Sequence, residues 1–209
     1  MEPLSDPRFD WGPAVREAMR EHVRRAVERL DPSRYSQEPA YVAALVARLD
    51  GVVYDDRDAR VEIIGTVVAD RGRGSAEARS GADFAFTATL VQEERKTKKA
   101  VLGQAKRGPS EHLSSFEQDR LDKQCGKMLR STAAAVVLNV PVHFGEWPLV
   151  RLLDQKGNYG PTFELADYLA DILLTCRHGD TRGDFVRSVM SSNLTGLHIM
   201  ATDASGWPV

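Results

Sequence analysis

Asp83, Gln104 and Lys106 are the residues of this chain whose types and spacing carry the clearest chemistry. Side chains alternate across a β-strand with a period of two. Along the stretch beginning Asp83-Phe84-Ala85-Phe86, Asp83 therefore shares a face with Ala85, Thr87 and Thr89, while Phe84, Phe86, Ala88 and Leu90 form an apolar face. Along the stretch ending Leu102-Gly103-Gln104-Ala105-Lys106, Gln104 and Lys106 emerge side by side. An antiparallel hairpin of the two stretches would set the start of one beside the end of the other, so that Asp83 meets Gln104 and Lys106. A carboxylate, an amide oxygen and an ammonium gathered at one place suit phosphodiester hydrolysis. Mg2+ takes oxygen ligands and keeps positions for water and phosphate. Asp83 would supply an anionic ligand, the Gln104 side-chain oxygen a neutral one and the Ala105 carbonyl a third. Water on such a metal is acidified, and Lys106 would orient it or stabilise charge in the transition state. A single carboxylate is a thin hold on a divalent ion, so a second is expected from elsewhere in the chain.

The elements that must position these groups can be read from periodicity. Pro13 to Leu30 reads as a helix with Val15, Met19, Val23, Ala26 and Leu30 at helical spacing. A second helix follows Ser36, carries Val42, Leu45 and Leu49 on one stripe and ends at Asp50-Gly51. Glu38 lies four residues before Val42, which puts its carboxylate on the inward stripe near the helix start, where a charge needs a partner. Glu38 is therefore the first choice for the missing carboxylate, ahead of Glu77 and then Glu62. Three strands over about Arg60 to Ala69, Asp83 to Val91 and Ala100 to Arg107 read as a meander, the last two joined by the charged connection Gln92 to Lys99. Ser114 and Glu117 form a capping-box pattern opening a helix through about Arg130, with Phe116, Leu121, Cys125 and Met128 as its apolar face. Ala133 to Val142 reads as a buried central strand and Leu149 to Leu153 as another. Phe163 to Cys176 reads as a helix stopped by Gly179, and Leu194 to Ala201 as a final strand after a short helix.

Composition narrows the field. With 209 residues, 42% of them hydrophobic, the chain suits one domain with a single core. The longest apolar run, Ala133 to Val142, is about half of a membrane span, and the N-terminus lacks a signal-peptide pattern, so a cytoplasmic protein without a membrane partner is expected. Two cysteines, Cys125 and Cys176, and five histidines show no metal-ligand spacing. The segment Gly179 to Asp184 lacks the Lys-Ser/Thr of a phosphate loop. A net charge of −2 means that attraction to nucleic acid must come from local patches. Arg71, Arg73 and Arg79 supply one, and Arg95, Lys96, Lys98, Lys99, Lys106 and Arg107 another, with Arg79, Lys98, Lys99 and Arg107 as candidate nucleic-acid contacts.

At Ser80-Gly81-Ala82-Asp83-Phe84 and Gly103-Gln104-Ala105-Lys106-Arg107, the sequence resembles the PD-(D/E)xK superfamily, in particular the Mrr-like branch in which Gln replaces the acidic member of the last motif. The resemblance spans roughly Ser36 to Val142. It implies an α/β restriction-endonuclease-like core, a mixed central sheet flanked by helices, over about 36–142. Residues 1–35 would be an N-terminal helical segment and 143–209 an extension of the domain 36–209. The resemblance also implies an endonuclease dependent on Mg2+, or Mn2+ as substitute, acting on nucleic acid, most naturally DNA, in a prokaryotic defence system, leaving a 5′-phosphate. Within it Glu38 matches the catalytic Glu of the preceding helix, and Gln124 is placed to bind substrate or order the site. A homodimer or a larger defence complex is the implied assembly. A weak or inactive nucleic-acid-binding or assembly subunit on the same fold is the alternative.

Overall fold

The computed structural model describes residue 4 and residues 8–68, 80–109 and 113–204. The candidates Arg71, Arg73, Glu77 and Arg79 lie outside the described residues. The architecture is α/β, a mixed eight-stranded sheet flanked by helices on both faces. The elements in chain order are α1 (Pro13–Glu28), α2 (Glu38–Leu49), β1 (Gly51–Asp56), β2 (Ala59–Thr66), β3 (Phe84–Gln92), β4 (Arg95–Arg107), α3 (Ser115–Ser131), β5 (Ala135–Val140), β6 (Leu149–Leu153) and β7 (Tyr159–Glu164). After β7 comes α4, which starts as Leu165–Asp167 and runs on as a π-helix over Tyr168–Leu173, then α5 (Gly183–Met190) and β8 (Thr195–Asp203). No helix among the described residues is long and apolar enough to cross a membrane.

The strands lie in the order β1-β2-β8-β3-β4-β5-β6-β7. This corrects the expected meander. The last strand, β8, inserts between β2 and β3, antiparallel to the first and parallel to the second. Its pattern explains the placement: Leu197, Ile199 and Ala201 are buried beside Val61 and Ile63 of β2 and Phe86, Ala88 and Leu90 of β3, apolar area that an edge position would leave wet. On the opposite face His198 fits between two β3 hydroxyls, Thr87 Oγ1 at 2.8 Å and Thr89 Oγ1 at 3.2 Å. That polar pairing specifies the register, since a one-residue slip would bury the imidazole in the apolar layer. Residues beyond 142 are therefore not an appendage to a core at 36–142, because β8 stands in the middle of the sheet. The first 35 residues are equally integral: Val15, Met19, Val23, Ala26 and Val27 of α1 join the main core cluster.

That cluster lies on the sheet face bearing Phe84, Phe86, Val101 and Ala105 and is covered by α1, α2 and α4. The other face, with Ala85, Ala100, Leu102 and Val137, is covered by α3 and α5. Ser114 closes the expected capping box on α3, accepting from Glu117 N while the Glu117 carboxylate accepts from Ser114 N. Phe116 departs from expectation, being 78% exposed. It precedes Leu121 by five residues, which carries it about 140° round the helix from the buried stripe. Arg16 and Arg20 of α1 are held by acids of α4, Asp171 and Asp167, which ties the two helices together by ion pairs.

Two edge strands escaped the sequence reading. The short β1 ends in Asp55-Asp56, and β7 contains Pro161, which cannot donate to a ladder and belongs on an edge. Because β7 absorbs Phe163 and Glu164, the expected helix from Phe163 starts only at Leu165. From Tyr168 it shifts to π hydrogen bonding, with Leu174 N donating to Leu169 O at 2.9 Å and Arg177 N to Ile172 O at 2.9 Å. Cys176 then takes φ 63° beyond the helix rather than within it.

One glycine lets the Phe84 ring cross the strand beside Asp83. A Cβ on Gly103 would lie 2.1 Å from the Phe84 ring, which packs flat across the strand there. Gly103→Ala is expected to cost about 1–3 kcal/mol by overpacking. Combined with Phe84→Leu, most of that increment should vanish, measurable as coupling in a urea-denaturation double-mutant cycle.

Candidate functional site

The β3/β4 hairpin has the expected antiparallel sense, with Phe84 opposite Gly103. β3 begins there, whereas β4 continues through Gln104, Ala105, Lys106 and Arg107, paired on its other side with β5. Asp83 occupies the junction. Its N donates to Gly103 O at 2.8 Å, and its Oδ2 accepts from Ala105 N at 3.0 Å and from Gln104 Nε2. The carboxylate thus satisfies a backbone donor of β4 that β3 no longer reaches. Asp83 and Gln104 meet as the hairpin parity requires.

Gln104 is 2% exposed, and while its amide nitrogen serves Asp83 its Oε1 is buried without a partner. Lys106 emerges on the same face, 9% exposed, and no hydrogen bond or ion pair to another described residue holds its ammonium. A buried ammonium calls for nearby anionic charge, hydrogen-bond acceptors or a ligand. α3 roofs this face. Lys106 acts at a distance on two of its residues: the Glu117 carboxyl is held below its ordinary value chiefly by Ser114, with Lys106 contributing, and burial pushes the Cys125 thiol up to about 12 against the opposing pull of Lys106. Cys125 is accordingly an inert core thiol.

Two further amides lie on the elements that flank this face. Gln124 stands on the buried side of α3, one residue before Cys125, with its Oε1 buried and unpartnered. Asn139 of β5 lies directly beside Lys106 in the parallel register, 6% exposed, and its Oδ1 is also unpartnered. Buried polar atoms are nearly always satisfied, so the Gln104 and Asn139 oxygens beside Lys106 are acceptors that a water, ion or ligand would meet. Asn139 went unnoticed in the sequence, although it is the lone polar residue in the run Ala133 to Val142.

Glu38 approaches from the other side. α2 packs on the face opposite Gln104 and Lys106, through Tyr41, Val42, Leu45 and Leu49. Its start is tied to the same end of β4, because Arg107 Nη2 donates to Tyr35 O, three residues before Glu38. Glu38 is half-buried, and its carboxylate forms no hydrogen bond or ion pair with another described residue. Glu62 lies on β2, two strands away from β3, and pairs with Arg60 at 3.5 Å, which removes it from the candidates. Among the described residues no group of three His, Cys, Asp or Glu side chains could hold a metal.

The expected basic contacts disperse. Arg107 is spent on the carbonyls of Pro32, at 3.0 Å, and Tyr35. Lys98 is exposed but stands eight residues along β4 from Lys106, about 26 Å away. Lys99 is fully buried, donating to His178 O at 2.9 Å and to Leu173 O, and so is not a surface cation. It shares the parity of Val101 and Ala105, which turns it into the apolar layer.

Comparison with known protein families, curated proteins and solved structures gives no match to this chain.

Burial pulls the Lys99 ammonium down from 10.5 to about 8. The folded state therefore binds fewer protons than the unfolded chain between those values, and native stability rises with pH across that window and is lost as pH falls through about 8. Urea denaturation of wild type and Lys99→Met at about pH 7 and about pH 10 checks this. The wild-type advantage should grow at the higher pH, and parallel profiles would contradict it.

Proposed function

We propose that the chain is a metal-dependent phosphodiester hydrolase acting on nucleic acid, most naturally DNA, on a restriction-endonuclease-like core, in keeping with a defence nuclease. The observation that carries this reading is Lys106, nine-tenths buried and engaged by no hydrogen bond or ion pair to a described residue, at the strand end where Asp83 and Gln104 are already in contact. A phosphate is the anion such a lysine would accept, and a hard cation is what the orphaned Gln104 Oε1 beside a carboxylate would accept. The donor set fits Mg2+ or Mn2+, with Asp83 as the anionic ligand and the Gln104 amide oxygen and Ala105 carbonyl as neutral ones. Such a metal, when bound, supplies acidified water and neutralises phosphate charge. Gln104 is the residue that must adjust, turning its oxygen rather than its nitrogen toward the ion. Lys106 bears on the phosphoryl oxygens, where charge builds in the transition state. Asn139, level with Lys106, offers its unpartnered Oδ1 as an acceptor on the same face.

A second reading has its own support. Asp83 already satisfies Ala105 N and Gln104 Nε2, so the carboxylate works as a structural cap of the strand end. A nucleic-acid-binding or assembly subunit without hydrolytic activity is consistent with that role.

Incubation of the protein with plasmid, single-stranded DNA and RNA, with Mg2+ or Mn2+ and with EDTA, separates the two. Metal-dependent cleavage that Lys106→Ala lowers by roughly a hundredfold or more, with binding retained, is the expected result. Binding without cleavage in every condition would favour the second reading. Equal loss of binding and cleavage in Lys106→Ala would remove Lys106 from the transition state.

A further inference from the structure

Beyond Lys106, β4 ends at Arg107, whose guanidinium holds the carbonyls of Pro32 and Tyr35. Those residues flank a cleft of about 300 Å3 between the end of α1, the turn Pro32–Arg34, α2 and the loop after β5. Arg29, Arg34 and Arg48 line it with Phe144, against two acids, Glu28 and Asp31. Asp31 is engaged by Ser33, with its Oδ1 2.7 Å from the Ser33 hydroxyl and 3.0 Å from Ser33 N, and by Arg34 at 3.6 Å. Arg29 and Arg48 form no ion pair with a described residue. The cleft therefore carries a net positive charge.

Phe144 is 68% exposed at its mouth. The ring is presented by a closed loop: Glu146 Oε2 accepts from Val142 N and His143 N, each at 3.0 Å, and Glu146 N donates to His143 O at 3.3 Å. A large apolar ring held outward, beside guanidinium groups in a recess too small for a helix or strand, matches a base-stacking platform flanked by phosphate contacts. The loop leaves β5 at Val140, the register partner of Arg107, and the cleft lies toward the α1 and α2 side of the sheet, past the strand end that carries Lys106 on its other face. On the other flank of that strand end, Phe116 stands 78% exposed in the first turn of α3.

We propose that this cleft binds single-stranded nucleic acid, with Phe144 stacking an unpaired base and Arg29, Arg34 and Arg48 holding the adjoining phosphates. The proposal rests on the nucleic-acid reading of the Lys106 site and specifies its substrate as a strand with unpaired bases. Duplex bases are stacked on one another and cannot lie on a ring in a recess of this size.

Fluorescence anisotropy in EDTA, with the full chain and labelled single-stranded DNA, RNA and duplex DNA of about 15 nucleotides, tests it. Single strands should bind more tightly than the duplex. Phe144→Ala should weaken single-strand binding about tenfold with an unchanged melting temperature, and Phe144→Trp should preserve it. Arg34→Ala with Arg48→Ala should weaken binding and flatten its salt dependence. The proposal fails if no single strand binds, if Phe144→Ala binds like wild type, or if the duplex binds as well. It fails equally if Phe144→Ala dissociates a dimer, which would make the ring a contact between copies. Because no metal is present, the two readings separate: binding through Phe144 without cleavage anywhere keeps the cleft and sinks the hydrolase, whereas cleavage indifferent to Phe144→Ala does the reverse.

Discussion

The carboxylate of Asp83 sits where β3 stops and β4 runs on, and the arrangement of the site depends on it. An unpaired strand end buried under a helix would leave a backbone donor unsatisfied, at a cost of about 1–3 kcal/mol. Asp83 Oδ2 meets that need at Ala105 N and takes the Gln104 amide as well. With the strand end fixed, the alternation of β4 sets Gln104 and Lys106 under α3 while Ala105 enters the opposite core. β5, parallel to β4, then brings Asn139 level with Lys106.

The same contact creates a competition. The hydrogen bonds that stabilise the strand end occupy the carboxylate that a cation would use, so ion binding requires the Gln104 amide to reorient. Interiors satisfy their polar atoms, and the unpartnered oxygens of Gln104, Gln124 and Asn139 are acceptors that solvent, an ion or a ligand would meet. Asn139 is too far across the sheet to share an ion with Asp83, since two strand spacings separate them by about 10 Å. Its place beside Lys106 suits a positioning role instead.

Local features were legible in the sequence because local chemistry decides them. The Ser114/Glu117 capping box, the parity of Gln104 and Lys106 and the burial of Ala135 to Val140 all follow from spacing alone. The insertion of β8 between β2 and β3 was not legible, because strand order depends on pairing between residues more than a hundred positions apart, such as Thr87 with His198. Lys99 was legible in principle, since counting back from Val101 turns it inward, but a run of charges in a hairpin reads as surface. Phe144 lacked any periodic signal, lying in a loop whose shape is fixed by Glu146.

The central claim is that Asp83 and its neighbours can hold a hard cation. Isothermal titration of Mn2+ into the metal-free protein, in parallel with Asp83→Asn, tests it most directly. Asparagine keeps an acceptor for Ala105 N, so the fold should survive while the anionic ligand is lost. The account predicts measurable binding to wild type and affinity weaker by at least about tenfold in Asp83→Asn at unchanged melting temperature. Absence of Mn2+ binding by wild type, or equal affinity in the variant, would contradict it.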